Sequence, residues 1–585
     1  MKLPFTSYKD FMTERHGTPL HRVPIDFNFG CPNREADGSG GCTFCNLRGS
    51  AAVQTLGTDT VEEQMQAAID FARRRYGAKK FMAYIQAFSA TFGEAQQPLY
   101  LNLLDQFPFT AVSIGTRPDC ITPQALDFLI ELNRHIEVWV ELGVQTIHDT
   151  TLERVNRGHD WASSERAIEL LHQANIPIAL HAILGLPGET ATDFQATADR
   201  FAQLPIQAVK IHNLHIEKGT TLALEHALTP LPVFNEYTFG EHLIDFIRRM
   251  PPSLPIMRLT TDTLDLELIA PRWQMDKQKF RNYIIAQMEA REWRQGDLLP
   301  AFTHPEPPAK LAIHPVVTDD GSTTFWNNHV KEHYHTRAGA RLEAEEKYVQ
   351  PARIHKQLQN NPLHLLDICF GLGYNSRAAL NAAIGAAHPL QITALEMDRR
   401  IVRHAAEILP SDSNTNFNWI TTLQQLYQNG SASPLPENPI QMHWGDARHT
   451  ITQLPDKSVD LIFLDAFSST RNSECWTLQF FQQIKRIMRP HAQLFTYAAA
   501  GPIRSGLLQA GFSIGETTPI GRPRGGTQAT LDASLLLQPI LENELISLRT
   551  TTRGIPFQDP HLLWTHREIV RDREQRIIEF KSLKN

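Results

Sequence analysis

Two runs of alternating apolar and amphipathic segments, broken once by a proline-rich stretch, constrain this chain more than any other feature. Apolar runs at VPIDFNF (23–29), FMAYIQAF (81–88), AVSIGTR (111–117), IEVWVELGV (136–144), IPIALHAIL (176–184) and AVKIHNLHI (208–216) read as buried strands. Amphipathic stretches such as VEEQMQAAIDFARRR (61–75) and SSERAIELLHQAN (163–175) lie between them. Strand-then-helix units demand a parallel sheet covered by helices. Six units rather than eight predict a partial, TIM-like (βα)6 barrel, whose chemistry belongs at the C-terminal ends of its strands.

The stretch LLPAFTHPEPPAK (298–310) holds four prolines and no apolar periodicity, so an extended spacer is expected. The predicted division is a first domain over 1–300, a linker over 301–310 and a second domain over 311–585. The second domain alternates again, with strands at HLLDICF (364–370), QITALEM (391–397), IQMHWGD (440–446), VDLIFLDAF (459–467) and HAQLFTYA (491–498). A glycine turn follows the first of these, as in a doubly wound, Rossmann-like sheet that binds a nucleoside-bearing ligand. The α/β class is therefore expected in both halves.

Composition narrows the function. At 585 residues, with 42% hydrophobic and 20% charged residues, the chain reads as globular. No apolar run approaches the roughly 20 residues that span a bilayer, so no membrane association is expected. The start MKLPFTSYKD lacks an export pattern, which predicts a cytoplasmic location. A formal net charge of −7 argues against binding nucleic acid through bulk charge. It leaves room for a local basic surface such as ARRRYGAKK, with Arg73, Arg74, Arg75, Lys79 and Lys80.

Cys31, Cys42 and Cys45 form a C-x10-C-x2-C group just after the first strand. Three thiolates suit a four-iron cluster with one iron left open for a small molecule. Spacing alone also admits a zinc site, with His16 or His21 as fourth ligand, as the lesser alternative. Other segments fall at strand ends. IGTRPDC (114–120) follows the third strand, and VELGVQT (140–146) places Glu141 and Gln145 near the mouth. HAILGLPGE (181–189) brings Gly185 to the end of the fifth strand, where a bare backbone suits a flat ligand. Cys120, His212 and His215 read as ordinary packed residues.

These segments together resemble the radical S-adenosylmethionine (SAM) superfamily over about residues 1–300. The wide cysteine spacing, TRPDC, ELGVQT, NRGH (156–159) and LGLPGE are similar to the subgroup of YhcC, and the Elongator catalytic subunit shares related TRPD and NRGH segments. The resemblance implies a 4Fe–4S cluster on Cys31, Cys42 and Cys45, and SAM held by Gln86, Glu141, Gln145 and Gly185. It further implies a reducing protein such as flavodoxin or ferredoxin. Hydrogen abstraction by a 5′-deoxyadenosyl radical is the implied chemistry, with the protein positioning the radical.

In the second domain DICFGLGYN (367–375) offers Gly371 and Gly373 in a strand-to-helix turn. Glu396 ends the next strand, where a carboxylate binds ribose hydroxyls. Asp446 in GDAR is expected at the adenine, and Asp465 in LDAF at the following strand end. The region 311–570 resembles a class I methyltransferase, in particular the methyltransferase domain of MnmC. The shared segments are HYHTRAGARLEAEEKYV (333–349), FGLGYN, LDAF with Asn472 and Trp476, and AAAGPIRSGLLQAGF (498–512). The resemblance implies a second SAM site and methylation of the aminomethyl group of a wobble uridine. Asp465 would hold the amine or relay its proton, and Tyr334 would line the substrate mouth with His335. Cys369 stands where the family has its first motif glycine, DAFSSTRNS lacks both family prolines, and no MnmC oxidoreductase segment is present.

One chain with two SAM sites predicts consecutive steps on one substrate. The radical half, similar to MnmL, would remove the carboxymethyl arm from 5-carboxymethylaminomethyluridine, and the methyltransferase half would methylate the exposed amine. The expected partner is a tRNA anticodon loop, whose unpaired base is open to capture. The rival reading is a two-step tailoring enzyme for a peptide or small metabolite. A third makes the first half a zinc module that docks tRNA.

Overall fold

The computed structural model describes all residues except 1–2, 36, 47–48, 50–59, 87, 262, 300–312, 329, 411–415, 520–523, 563 and 583–585. The expected spacer over 301–310 lies outside the described residues. The chain divides into two compact units, residues 1–289 with 293–306 and residues 290–292 with 307–585. Among the described residues no helix is long and apolar enough to cross a membrane.

In the first unit seven strands form one parallel sheet in chain order. They are β1 (Leu20–Ile25), β2 (Lys80–Ile85), β3 (Phe109–Thr116), β4 (Glu137–Gln145), β5 (Ile178–Leu184), β6 (Ala208–Asn213) and β7 (Ile256–Arg258). The expected partial barrel is present, with one strand more than the six predicted. At three residues, β7 is too short to register as an apolar run. β1 also lies earlier than its apolar run, because VPIDFNF leaves the sheet after Ile25.

β4 shows how the sequence builds the barrel. Successive side chains point to opposite faces. Val138, Val140, Leu142 and Val144 join the core under the helices, where Met65, Ile69 and Ala72 of α2 (Val61–Tyr76) also pack. That helix is set by a Thr60–Glu63 capping box and ends at Gly77 in a left-handed conformation. Trp139, Glu141, Gly143 and Gln145 occupy the opposite, inward row. Trp139 packs with Met82, Ala111, Ala179, Ala208 and with Tyr8 and Met12 of the N-terminal helix Tyr8–His16. This apolar plug closes the lumen at the N-terminal end of the strands. Everything above it on the inward rows faces the lumen.

The second unit holds an eight-stranded sheet. Its strands are β8 (Leu363–Ile368), β9 (Leu390–Glu396), β10 (Ser431–Leu435), β11 (Asn438–Trp444), β12 (Val459–Leu464), β13 (Met488–Thr496), β14 (Ser513–Glu516) and β15 (Thr527–Thr530). The order is β10-β11-β9-β8-β12-β13-β15-β14. β9 and β12 flank β8, so the chain reverses direction across the sheet there, and a ligand crevice opens at the C-terminal ends of these strands. β8 is buried on both faces: Leu365 enters one core, Leu366 and Ile368 the other. A three-stranded antiparallel sheet (Ile313–Val317, Thr323–Asn327, Glu332–His333) precedes it and was not foreseen.

Candidate active sites

The cysteines lie in a loop between β1 and α2 that Arg34 staples together. Its guanidinium donates to the carbonyls of Gly38 (2.9 Å), Cys45 (2.9 Å) and Asn46 (2.7 Å). Arg34 and Gly38 are thereby tied to the C-x2-C turn, in which Cys45 N–H donates to Cys42 C=O at 3.0 Å. The NRGH segment braces the loop from the other side. Asn156 donates to Gly41 C=O at 2.8 Å, and Arg157 Nη1 lies 3.3 Å from Cys42 Sγ. Gly158 sits at φ +74°, and a Cβ there would lie 2.4 Å from Asn33 Oδ1 and 2.9 Å from Arg117 Nη2.

Arg117, from the TRPD segment, is gripped by Asp119 through two 2.9 Å hydrogen bonds. Burial opposes its charge, but Asp119 and then the thiols of Cys31 and Cys42 hold its pKa up. Arg117 Nη1 and Arg157 Nε are buried without a hydrogen-bond partner. Among the described residues no three His, Cys, Asp or Glu side chains gather closely enough to share one metal ion. Two guanidiniums with unused donors beside three thiols do fit an anionic iron–sulfur group. His16 pairs with Glu137 at 3.2 Å, and its pKa is lowered by burial, so it is engaged away from the cysteines.

Gln86 follows β2 and is half-buried, Gln145 ends β4 at φ +77°, and Gly185 follows β5. These three are at strand ends, as expected. Glu141 is not at the mouth. Its side chain is fully buried two inward positions below Gln145, on the row just above the apolar plug. Its carboxylate accepts from Ser113 Oγ (2.6 Å), Lys210 Nζ (2.9 Å) and Tyr84 Oη (3.3 Å), meets His181 Nε2 at 2.8 Å, and pairs with Arg22 at 2.9 Å. Burial alone would raise its pKa, but Arg22 and then Lys210 hold it well below the usual carboxylate range. Burial pulls Lys210 down to about 7 against Glu141, with Arg258 and Arg22 acting in the same direction as burial. Glu141 is an electrostatic hub of the lumen, which motif position alone did not reveal.

In the second unit the turn after β8 carries the expected geometry. Gly371 N–H donates to Glu396 Oε2 at 2.8 Å, and Asp398 N–H to Glu396 Oε1 at 2.8 Å. Gly373 has φ +77°, and a Cβ there would lie 2.5 Å from Phe370 and 2.6 Å from Trp419. Tyr334 packs its ring 4.9 Å from that of Phe467 and lies against Gly371. It receives a hydrogen bond from Asn327 at 3.3 Å, and burial, then Glu396, raises its pKa. His335 is buried, bonded to Thr324 Oγ1 at 3.0 Å, and is a packing residue.

Asp465 directly follows β12 and accepts from Asn375 Nδ2 at 2.9 Å. Burial and then Glu343 push it up to about 7, against Asn375 and Lys347. Glu343, Lys347 and Tyr348 are a group that sequence reasoning missed. They belong to a helix, Ala340–Ala344, that continues as a π-helical turn over Glu345–Val349. The wider turn buries Lys347 and Tyr348 side by side, and Lys347 pairs with Glu343 at 2.6 Å. Asp446 follows β11 and makes contacts that its motif position did not suggest. It caps a short helix through Arg448 N–H (2.9 Å) and pairs with the Arg448 guanidinium at 2.7 Å, because Arg448 stands two residues on. Arg448 holds the Asp446 carboxyl well below its usual range despite burial.

Three carboxyls around this crevice have no cationic partner at ion-pair distance among the described residues: Asp367, Glu396 and Asp465. Burial raises each to about 7, and Asp367 Oδ1 has no hydrogen-bond partner. An orphaned carboxylate oxygen beside a glycine turn and a ribose-level Glu396 fits a cationic, nucleoside-bearing ligand such as SAM.

Comparison with known proteins finds relatives of both units. Residues 26–201 match the radical SAM superfamily, residues 206–290 its C-terminal domain, and residues 417–532 an S-adenosyl-L-methionine-dependent methyltransferase family. Protein YhcC of Escherichia coli K12 is 35% identical over 266 residues, 45% of this chain and 85% of that protein. The tRNA 5-methylaminomethyl-2-thiouridine biosynthesis bifunctional protein MnmC of Aeromonas hydrophila is 36% identical over 88 residues, 14% of this chain and 13% of that protein. The crystal structure of MnmC2 from Aquifex aeolicus is 28% identical, covering 47% of this chain and 87% of its own, with a TM-score of 0.41.

Proposed function

Since the chain belongs to the radical SAM superfamily, as a relative of YhcC followed by an MnmC-like methyltransferase unit, we propose that it performs two consecutive SAM-dependent steps on one wobble uridine of tRNA. The first removes the carboxymethyl arm of 5-carboxymethylaminomethyluridine to leave 5-aminomethyluridine: the arm carbon beside nitrogen would lose a hydrogen atom to the radical and one electron to the oxidised iron–sulfur group, and water would hydrolyse the resulting imine, releasing the arm as a two-carbon oxoacid. The second methylates that amine to 5-methylaminomethyluridine. The observation that carries the proposal is the union, in one chain, of a radical unit with a methyltransferase unit similar to MnmC proteins, whose name places them in 5-methylaminomethyl-2-thiouridine biosynthesis.

Cys31, Cys42 and Cys45 would hold the iron–sulfur group, with Arg117 and Arg157 balancing its charge. When bound and reduced, it supplies the electron that cleaves SAM to methionine and the hydrogen-abstracting radical. Gln86, Gln145 and Gly185 stand at the strand ends where SAM would lie. In the second unit Glu396 and the Gly371–Gly373 turn hold SAM. Asp465 takes the proton from the amine as its nitrogen accepts the methyl group, and Tyr334 borders the entering base. An acid held near 7 suits this task, because a general base works best with a pKa close to the working pH.

Nucleoside mass spectrometry of tRNA tests the proposal. In a strain lacking the native chain, Cys45→Ala should accumulate 5-carboxymethylaminomethyluridine and Asp465→Ala 5-aminomethyluridine. Unchanged tRNA in the full deletion, in a strain with no second enzyme for either step, refutes it.

A further inference from the structure

The lumen of the first unit holds more positive than negative charge. Inward positions on five strands bring Arg22 (β1), Tyr84 (β2), Ser113 (β3), Glu141 (β4) and Lys210 (β6) into one bonded group. Lys210 is in register with His181 on β5 and with Arg258 on β7. His212 follows Lys210 on the same row of β6, its ring 5.6 Å from that of His181. Among the described residues Glu141 is the one carboxylate bonded within this group, against three cations, Arg22, Lys210 and Arg258. The histidines add no anion, and burial followed by the charge of Lys210 holds both imidazoles neutral.

Arg258 is the cation without an assignment. Among the described residues it makes no hydrogen bond and no ion pair, although its charge acts on Tyr84, His181, Lys210 and His212. A half-buried guanidinium beside a buried ammonium is unfavourable unless an anion joins them. The group is also reachable, since Arg22 and His181 keep 25% and 17% of their side-chain surface exposed. The row above it carries no side chain from β3 or β4, and a Cβ at Gly143 would lie 2.6 Å from Arg157 Nη2. Gly115 and Gly143 are the next inward positions after Ser113 and Glu141, and Arg157 reaches from Cys42 to the Gly143 carbonyl. Two residues along a strand span about 7 Å. An anionic group seated among these cations therefore places the atoms two to four bonds away at the level of Gly143, on the cysteine side of the lumen.

We propose that Lys210 and Arg258, with His181 and His212, form the subsite for the carboxylate of the substrate of the radical step. The assignment rests on the reading above, in which that substrate carries a carboxymethyl arm. It adds that the arm enters the lumen carboxylate first, so that the carbon beside nitrogen lies toward the cysteines. SAM carries a carboxylate as well, and the test separates the two sources.

The test uses the full chain, reconstituted anaerobically, and two anticodon stem-loop RNAs that differ only in the arm. One ends in the carboxylate of 5-carboxymethylaminomethyluridine, the other in its primary amide. The native protein should bind the acid at least roughly tenfold more tightly than the amide, as expected for loss of a charged partner in a desolvated site. Lys210→Met and Arg258→Gln should each bring that ratio toward one. Arg258→Gln removes no bond of the lumen, so it keeps the test open if Lys210→Met fails to fold. A native ratio of one, with the acid RNA still converted, overturns this inference and leaves the proposed function standing. A ratio retained in both variants, or a loss of SAM affinity in them with the RNA ratio intact, also overturns it. Binding of neither RNA overturns the tRNA reading and this inference together.

Discussion

Replacing Glu141 by glutamine should destabilise the radical SAM unit through charge alone, because the amide keeps the shape and can still accept from Ser113. The change leaves a buried Lys210 and a half-buried Arg22 with no anion between them. Breaking a buried pair by removing one partner costs about 3–5 kcal/mol. Lys210 already sits near 7, so it escapes part of that cost by losing its proton, and about 3 kcal/mol is expected near neutral pH. At roughly 2–4 °C per kcal/mol for units of this size, the first unit should melt about 6–12 °C lower. The loss should also depend on pH with a definite sign. Lys210 is depressed from 10.5 to about 7 in the native fold, and without Glu141 it falls further. At pH 9 it is neutral in both folded proteins and contributes no difference. At pH 6 only the native protein gains from a protonated Lys210 beside Glu141. The deficit is therefore larger at pH 6 than at pH 9. Thermal unfolding followed by calorimetry at both pH values measures it, and adding Lys210→Met to Glu141→Gln should lose less than the sum of the two single changes. A drop below about 2 °C at both pH values, or one equal at the two, would refute the hub assigned to Glu141.

The methyltransferase unit makes three further predictions. Asp367, Glu396 and Asp465, each raised to about 7, should release protons when a sulfonium cation arrives, so SAM affinity rises as pH increases through about 7. Calorimetric titration should show this rise for SAM and a flatter profile for uncharged-sulfur S-adenosylhomocysteine. Asn375→Ala removes a donor that lowers the Asp465 pKa, so the acidic limb of the methyl-transfer pH profile should move to higher pH; a limb that stays in place or moves down counts against Asp465 as the base. Gly373→Ala forces a Cβ into Phe370 and Trp419 at positive φ, which should cost roughly 1–3 kcal/mol and weaken SAM binding, read as a lower melting point and a higher Kd.

The strands were legible where burial on both faces made them near-continuous apolar runs, and that same property hid their inward rows. In β4 the valines and leucine that meet the helices dominate the pattern. Trp139, Glu141, Gly143 and Gln145 between them carry no hint that Glu141 is a level below the mouth. β7 escaped notice because three residues give no period. The antiparallel sheet over 313–333 escaped because Pro315 and its polar neighbours read as loop. At the methyltransferase site Glu396 and Asp465 stood at strand ends, where fold logic places ligand contacts. Lys347 and Tyr348 could not be placed, since a π-helical turn changes which side chains share a face and leaves no compositional mark. Asp446 stood near a strand end too, and its pairing with Arg448 two residues on left no mark in the strand pattern.

The charges of the two sites bear on the order of the proposed steps. The lumen of the first unit carries three cations against one carboxylate, and the crevice of the second carries three carboxyls with no cation at ion-pair distance. Loss of the carboxymethyl arm changes the substrate in the matching sense, from a group that ends in a carboxylate to a bare amine that is protonated near neutral pH. The product of the first step has lost what the lumen cations hold, and Arg258 and Lys210 now repel it. The same ammonium suits Asp465, which must take its proton before the nitrogen can accept a methyl group. A substrate still bearing the arm would bring another anion to carboxyls already raised by burial, so the crevice disfavours methylation before the arm is removed. The order radical step first, methyl transfer second then follows from electrostatics within each site and requires no hand-over between them.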